Sequence, residues 1–263
     1  MTLAASAGGS RTDTGGESQL WTASLDLTGA GLDSSVLPSE VLDRARRLRF
    51  ESDRNRFVAS RVWLHILLAR GLGLSVQEIT LQAAAGGKPE LAPPMPTWLR
   101  FSMSRAGSRG LYALARDAEV GVDLEDRSRV VDTEAVAHRF FSGTERELLG
   151  GLGEAEKQLG FYRIWTRKEA VLKAMGVGLD VPLMALDVSG EMARWDPKVP
   201  AALNDGRHWF LHDLDVGPGH AAALACEANV FDGVPTPRDG AELLPGARRD
   251  GGTAADSGGV YCW

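Results

Sequence analysis

The sequence predicts an α+β fold with mostly antiparallel sheet. Three runs, Trp98 to Met103, Leu111 to Arg116 and Val120 to Glu125, read as strands, and the short gaps between them suggest an antiparallel meander. Two long segments, Asp53 to Arg70 and about Glu154 to Ala174, instead carry apolar residues at helical spacing. No internal repeat is visible along the chain.

Residues 1–18 are rich in Gly, Ser and Thr and predict a disordered N-terminal tail. Leu20 to Leu27 follows as a first strand. Ser39 is placed to cap a helix through VLDRARRLR, with Val41, Ala45 and Leu48 on one side. In the second helix Phe57, Leu64, Leu67 and Leu68 fall together, Arg54, Arg56 and Arg61 lie on the same segment, and Gly71 is a natural stop. The Gly- and Pro-punctuated stretch AAAGGKPELAPPMP is a loop. After the three strands come helices over Asp132 to Phe140 and Ser142 to Gly150, then the long one closed by Gly176. Leu183 to Ala225 reads as further strands, WFLHDLDV the clearest. From residue 232 to 263 the composition shifts to a second disordered tail, ending in VYCW.

Composition narrows the function classes. A net charge of -6 with a pI near 5.5 argues against wholesale binding to nucleic acid or anionic membrane. The two cysteines, Cys226 and Cys262, are far apart and lack neighbours at ligand spacing, so neither a disulfide framework nor an ordinary zinc site is expected. Cys226, inside AAALACEA, reads as a buried core thiol. No segment reaches the ~18 apolar residues of a membrane span, and the N-terminus lacks the apolar region of a signal peptide. A cytoplasmic protein is the expectation.

The chemistry concentrates in two places. In EVGVDLED, Val120, Val122 and Leu124 alternate with Gly121, Asp123 and Glu125, so the two acids share one face of a strand. Carboxylates held so close repel unless a cation or a shared proton relieves them. On the long helix Trp165, Glu169 and Lys173 recur every four residues and share a face. Taken alone, Asp123 and Glu125 fit a solvated strand face, and Glu169 with Lys173 fits an exposed ion pair worth ~0.3–0.5 kcal/mol. Taken together, three carboxylates suit Mg²⁺, a hard cation that prefers oxygen. Lys88, Arg105, Arg44 and Arg56 recur upstream, either as ordinary surface charges or as donors to a polyanionic ligand. Neither a Walker loop nor a dinucleotide-binding glycine fingerprint is present, and none of the five histidines sits near a nucleophile elbow.

These motifs, in this order, resemble the 4′-phosphopantetheinyl transferases of the monomeric, surfactin-synthetase-activating class. GVDLE (121–125), RFFSGTE (139–145) and FYRIWTRKEAVLKAMGVGL (161–179) resemble the family's signatures, and GGKP and FSMSRAG its upstream coenzyme-binding segments. The resemblance covers about Arg44 to Leu183 and leaves both tails outside. It implies a pseudo-dimer of two similar subdomains, residues 19–110 and 111–231, with the active site in the cleft between them. It also implies transfer of the 4′-phosphopantetheine arm of coenzyme A to a serine of an acyl or peptidyl carrier protein, with Mg²⁺. By motif position, Asp123, Glu125 and Glu169 are the implied metal ligands, and Glu169 and Lys173 the implied catalytic pair. Lys173 and Lys168 would contact phosphates. Lys88, Pro89, Ser104 and Arg105 would line the coenzyme A site, with Arg44 and Arg56 near its 3′-phosphate. Ser104-Arg105-Ala106 departs from the Ser-His-Ser of many members; arginine keeps a grip on phosphate and removes any acid–base role there.

Carrier domains are generally acidic, so docking on this acidic chain must be local or apolar. The segment Arg127 to Phe141 mixes arginines with apolar residues directly after the GVDLE motif. It reads either as that docking surface or as a plain amphipathic helix packed on the core. Two rival functions use the same residues: another Mg²⁺-dependent phosphotransfer or phosphohydrolase enzyme, and a non-catalytic regulator that binds coenzyme A or a carrier. The presence of all three carboxylates and Lys173 favours catalysis.

Overall fold

In the computed structural model, residues 18–26, 32–84, 87–178, 181–227 and 235–244 are described. The N-terminal tail, apart from Ser18, and residues 232–234 and 245–263 of the C-terminal tail lie outside them.

In chain order the elements are β1 (Gln19–Ser24), α1 (Ser39–Arg46), α2 (Glu51–Leu72), β2 (Leu81–Ala83), β3 (Pro89–Leu91), β4 (Leu99–Ala106), β5 (Arg109–Arg116), β6 (Val120–Asp126), α3 (Thr133–Phe140), α4 (Gly143–Gly150), α5 (Glu154–Met175), β7 (Leu186–Asp187), β8 (Met192–Trp195), β9 (Trp209–Asp213), β10 (His220–Cys226) and β11 (Arg238–Asp239). They form two main sheets, ordered β11-β1-β5-β4 and β6-β10-β9-β8-β7, with β2 and β3 a separate hairpin. Every pairing is antiparallel except the short β1–β11 contact.

Strand alternation builds three cores. On β5, Leu111, Ala113 and Ala115 face a central core shared with Val120, Val122 and Leu124 of β6 and Ala222 and Leu224 of β10. The opposite β5 residues, Tyr112 and Leu114, pack with Trp63, Leu64, Leu67 and Leu68 of α2. Beyond the second sheet, Ala223 and Ala225 of β10 pack with Ala170, Val171 and Ala174 of α5. The order is therefore helix, sheet, sheet, helix, and each half is one 22-residue helix on a mostly antiparallel sheet. That is the predicted α+β arrangement of two similar halves. Both long helices end at a left-handed glycine, Gly73 at φ 67° and Gly176 at φ 71°. Gly71, expected as the stop of α2, lies inside it.

Three expectations change. The division at residues 110 and 111 would cut through the first sheet, because β5 pairs with both β1 and β4. The halves part instead after Arg116, where Asp117, at φ 54°, turns the chain from β5 toward β6 in the other sheet. The predicted three-strand meander is thus a hairpin plus the edge of a second sheet. Within the segment read as a C-terminal tail, β11 pairs with β1, matching Trp21 to Arg238 and Thr22 to Asp239. Cys226 is fully buried, as expected of a core thiol.

At Gly121 the backbones of α5 and β6 approach closely. A Cβ built on Gly121 would lie 2.0 Å from the carbonyl oxygen of Ala170 and 2.4 Å from the amide nitrogen of Ala174. Both are helix backbone atoms, which cannot swing aside. Gly121→Ala is therefore expected to force α5 away from the sheet and to destabilise the protein by about 3 kcal/mol or more, the upper part of the overpacking range. Thermal or urea unfolding checks this, and a variant of wild-type stability refutes it.

Candidate active site

Strand β6 and helix α5 supply the centre of the site, and β4 closes its side. Because Val120, Val122 and Leu124 point into the central core, Asp123 and Glu125 point the other way, toward α5. Trp165, Glu169 and Lys173, one turn apart on α5, meet them there, and all five line a cavity of about 590 Å³ with Ser104 and Arg105 of β4.

Asp123 is buried, at 4% exposure. Its Oδ1 accepts from Lys173 Nζ at 2.6 Å and from Ser104 Oγ at 3.0 Å, and Lys173 also donates to Ser104 Oγ at 3.0 Å. Asp123 Oδ2 is buried without a hydrogen-bond partner. Trp165 Nε1 donates to Glu125 Oε1 at 3.3 Å and so orients it. One residue earlier on β4's seam face, Ser102 Oγ accepts from the Val122 amide at 3.1 Å, which ties the two sheets together beside the site.

The carboxylates are held against their charge. Burial, then the negative charge of Asp123, raises the Glu125 carboxyl above its usual range. Burial and Asp123 push Glu169 to about 7, against the pull of Lys173 and with a further push from Glu125. A partly buried carboxylate cluster with one unpartnered oxygen is a setting for a cation.

A second group lies alongside. The guanidinium carbons of Arg44, Arg61 and Arg105 sit 5.8, 5.2 and 5.7 Å from the centroid of the Phe57 ring. Burial, followed by the like charge of Arg44, lowers the proton affinity of Arg61, with Arg105 adding to it. The Arg61 guanidinium donates to Met103 Sδ at 3.0 Å. Three cations around one ring, one of them lining the carboxylate cavity, form a ready seat for an anionic group.

The predicted site residues therefore divide. Asp123, Glu125, Glu169, Lys173, Ser104 and Arg105 are brought together, and Arg44 joins through Arg105 and Phe57. Arg56 does not join: its guanidinium makes two bonds to Asp26, at 2.6 and 3.1 Å. Lys88 and Pro89 line a different, smaller cavity with Arg100 and Glu119. The Lys88 ammonium donates to Glu119 Oε2, Ala174 O and Val120 O.

Lys168 is a clear correction. It is fully buried, pairs with Glu145 Oε2 at 2.8 Å, and also donates to the carbonyls of Leu183 and Leu186. Burial lowers its proton affinity, and Glu145 opposes that. Glu145 in turn caps α4 by accepting from the Ser142 amide at 2.7 Å and holds the Val188 amide at 2.8 Å. Lys168 is a structural post joining α5, α4 and β7, and it reaches no ligand. Removing either partner alone strands a buried charge, a loss on the order of 3–5 kcal/mol.

Arg61 and Trp165 have no assigned role in the sequence analysis, and Arg129 has one only as part of the docking segment. Arg61 had a legible signal, since it follows Phe57 by four residues on the same helix. Arg129 lines the carboxylate cavity from the loop after β6, where no periodicity marks it.

A carboxylate cluster with a lysine and a neighbouring arginine group, set between the two halves, has the donor chemistry that a phosphorylated ligand and a cation require. The family model of the 4′-phosphopantetheinyl transferase superfamily matches residues 119–225. The 4′-phosphopantetheinyl transferase HetI of Nostoc sp. is 34% identical over 212 residues, covering 80% of this chain and 87% of that protein. A phosphopantetheinyl transferase of Thraustochytrium sp. is 31% identical over 228 residues, covering 81% and 77%. The 4′-phosphopantetheinyl transferase Sfp of Bacillus subtilis is 28% identical over 196 residues, covering 74% and 84%. The chain belongs to the 4′-phosphopantetheinyl transferase superfamily, in its Sfp-like class.

The raised Glu169 carboxyl sets a pH dependence of stability. Its folded-state value of about 7 lies above the ordinary 4.5, so the folded protein holds that proton more tightly than the unfolded chain. Stability present at low pH is thus lost as the pH rises through this window, by on the order of 3 kcal/mol. In chelator-treated protein, Glu169→Gln is expected to raise Tm at about pH 8 and to leave it nearly unchanged at about pH 4.5. Equal shifts at both pH values would overturn the account.

Proposed function

We infer that this protein transfers the 4′-phosphopantetheine arm of coenzyme A to a serine hydroxyl of an apo acyl or peptidyl carrier protein, releasing adenosine 3′,5′-bisphosphate. The observation that carries this reading is the meeting of Asp123, Glu125, Glu169 and Lys173 in one cavity beside the Arg44–Arg61–Arg105 group. Coenzyme A brings a pyrophosphate and a separate 3′-phosphate, which suits two adjoining positive seats better than a single phosphoester does.

The residues fit Mg²⁺ by donor chemistry. Asp123 Oδ2 has no partner, and Glu125 and Glu169 are destabilised as anions by burial and by each other. Among the described residues no three such side chains converge tightly enough to hold an ion as they stand. Asp123, Glu125 and Glu169 are the residues that would hold it. When bound, Mg²⁺ supplies charge neutralisation on the pyrophosphate oxygens.

The protein's own groups do the rest. Lys173, held at Asp123 and Ser104, points a remaining donor at the cavity and stabilises charge developing on the departing bisphosphate. Arg105, at the cavity wall, grips a phosphate oxygen. As the serine oxygen forms its bond to the phosphorus carrying the pantetheine arm, the bond to the bridging oxygen breaks and that oxygen keeps the electron pair. The serine proton goes to the Glu169 carboxylate, directly or through a water.

The carrier docks on the loop that opens this cavity. Val130 is fully exposed and Val131 partly so, directly after Arg129 at the cavity wall. Of the segment Arg127 to Phe141 only this loop and the outer face of α3 are available. Phe141 is buried and stacks on Phe161 at 5.3 Å.

Incubation with coenzyme A, Mg²⁺ and several apo carrier proteins, followed by mass spectrometry, is expected to show the phosphopantetheine increment on a carrier serine. Asp123→Ala should lower that transfer by about 1,000-fold or more while the fold is kept, since one displaced charge contact in a dry site is worth several kcal/mol. Near-normal transfer by the variant would sink the site assignment. Val130→Asp should raise KM for the carrier about tenfold and leave KM for coenzyme A alone. An unchanged carrier KM would remove the docking loop.

A further inference from the structure

Tyr112 lies outside every motif of the sequence, yet it stands behind the arginine group. It is fully buried on β5, and its hydroxyl donates to the Ser60 carbonyl of α2 at 3.1 Å. The ring lies along the strand over Gly110, two residues back on the same face. A Cβ on Gly110 would lie 2.6 Å from the hydroxyl oxygen and 2.8 and 2.9 Å from ring atoms Cε2 and Cζ. The glycine leaves the space that the tyrosine fills.

The arginines flank this contact. In the β4–β5 register Arg105 stands opposite Gly110, and Met103 opposite Tyr112. On α2, Ser60 immediately precedes Arg61, and its own hydroxyl donates to the Phe57 carbonyl at 2.7 Å. Arg61 and Arg105 share the Phe57 ring, at 5.2 and 5.7 Å from its centroid. Arg61 also rests on Met103 Sδ, and a thioether is a weak acceptor for a guanidinium. Burial raises the Tyr112 phenol above its ordinary range while Arg61 and Arg105 pull it down, so the hydroxyl remains a proton donor.

The rest of the contact between α2 and the sheet has little direction. Trp63, Leu64, Leu67 and Leu68 pack with Trp21, Tyr112 and Leu114, and apolar burial alone does not fix how a helix slides or turns on a sheet. Hydrogen bonds do, through their narrow limits of distance and angle. Trp63 Nε1 supplies one on the β1 side, to the Ser24 carbonyl at 3.2 Å. Tyr112 supplies one on the arginine side, a single residue from Arg61.

We propose that Tyr112 is a positioning residue: its bond to Ser60 fixes α2 against β4 and β5, and so spaces Arg61 and Arg105 to hold the 3′-phosphate of coenzyme A. It acts through the two arginines and takes no part in the transfer step. Its kinetic consequence rests on the transferase reading, whereas the seat itself is measured by binding without turnover.

The test uses the full chain with Tyr112→Phe, which removes the hydroxyl and keeps the ring. In transfer assays the variant is expected to raise KM for coenzyme A about fivefold at unchanged kcat. With dephospho-coenzyme A, which lacks the 3′-phosphate, both constants should stay within about twofold of wild type. Calorimetric titration should show Kd for adenosine 3′,5′-bisphosphate raised about fivefold, and Kd for adenosine 5′-monophosphate within about twofold of wild type. Equal losses with both coenzymes would make Tyr112 a merely structural residue and overturn the proposal, as would wild-type constants throughout. A wild type that does not distinguish the two coenzymes would overturn it as well. Should Tyr112→Phe fail to fold, Gly110→Ala keeps the hydroxyl but drives it from its place, and must show the same selective loss. If the wild type transfers nothing, the transferase reading falls, while the bisphosphate titration still decides the role of Tyr112.

Discussion

At Gly121 helix α5 lies on β6 with no side chain between them, and the site exists because of that contact. Gly121 removes the obstacle on β6, and its cross-strand partner on β10 is Ala225, with Ala223 opposite Asp123. A floor of glycine and alanine lets the helix backbone settle to a depth that any larger residue would forbid. Only at that depth do residues at four-residue spacing on α5 reach a carboxylate on a strand pointing at them. The 2.6 Å contact from Lys173 to Asp123 is the measure of how closely the two elements are held. Packing of small residues, remote from any chemistry in kind, thereby sets the geometry of charged groups.

That geometry carries an electrostatic cost. Three carboxylates share one cavity with a single lysine inside their reach, and three arginines crowd one phenylalanine ring a short way along β4. Each group raises the free energy of the ligand-free protein by like-charge repulsion and burial. A ligand bearing phosphates and a cation offsets both at once, because it places negative charge at the arginines and positive charge among the carboxylates. Stability withheld from the empty protein is thus recovered as binding free energy, a trade common where function needs poised charges.

Much of this was legible in the sequence, for physical reasons. Period-two alternation in GVDLED placed Asp123 and Glu125 on one face, and four-residue spacing placed Trp165, Glu169 and Lys173 on another, because both patterns report local backbone geometry. What the glycine admits was not legible: it admits a helix backbone, which is a long-range fact. The link from Arg116 to Val120 has the length of a hairpin turn, yet it carries the chain into a different sheet. Gap length alone does not distinguish the two outcomes. The pairing of β11 with β1 involves two residues more than two hundred positions away along the chain, too few to leave a periodic trace. The cluster of Arg44, Arg61 and Arg105 draws on α1, α2 and β4, and only tertiary packing brings them to one ring.

Counting donors separates the three lysines that the motifs alone treat alike. An ammonium has three N–H groups and no more. Lys168 spends them on Glu145 and two carbonyls in a fully buried setting, and Lys88 spends them on Glu119 and two carbonyls at the end of α5. Lys173 uses two, on Asp123 and Ser104, and its side chain keeps 31% exposure toward the cavity. The sequence held part of this distinction, since Lys168 precedes Lys173 by five residues and so lies roughly 140° around the helix from it. The remainder depends on partners contributed by α4, β7 and the β2–β3 connection. Of the three, Lys173 is the one with a donor left over beside the carboxylate cavity, which is why the proposed charge neutralisation at the reacting group is assigned to it.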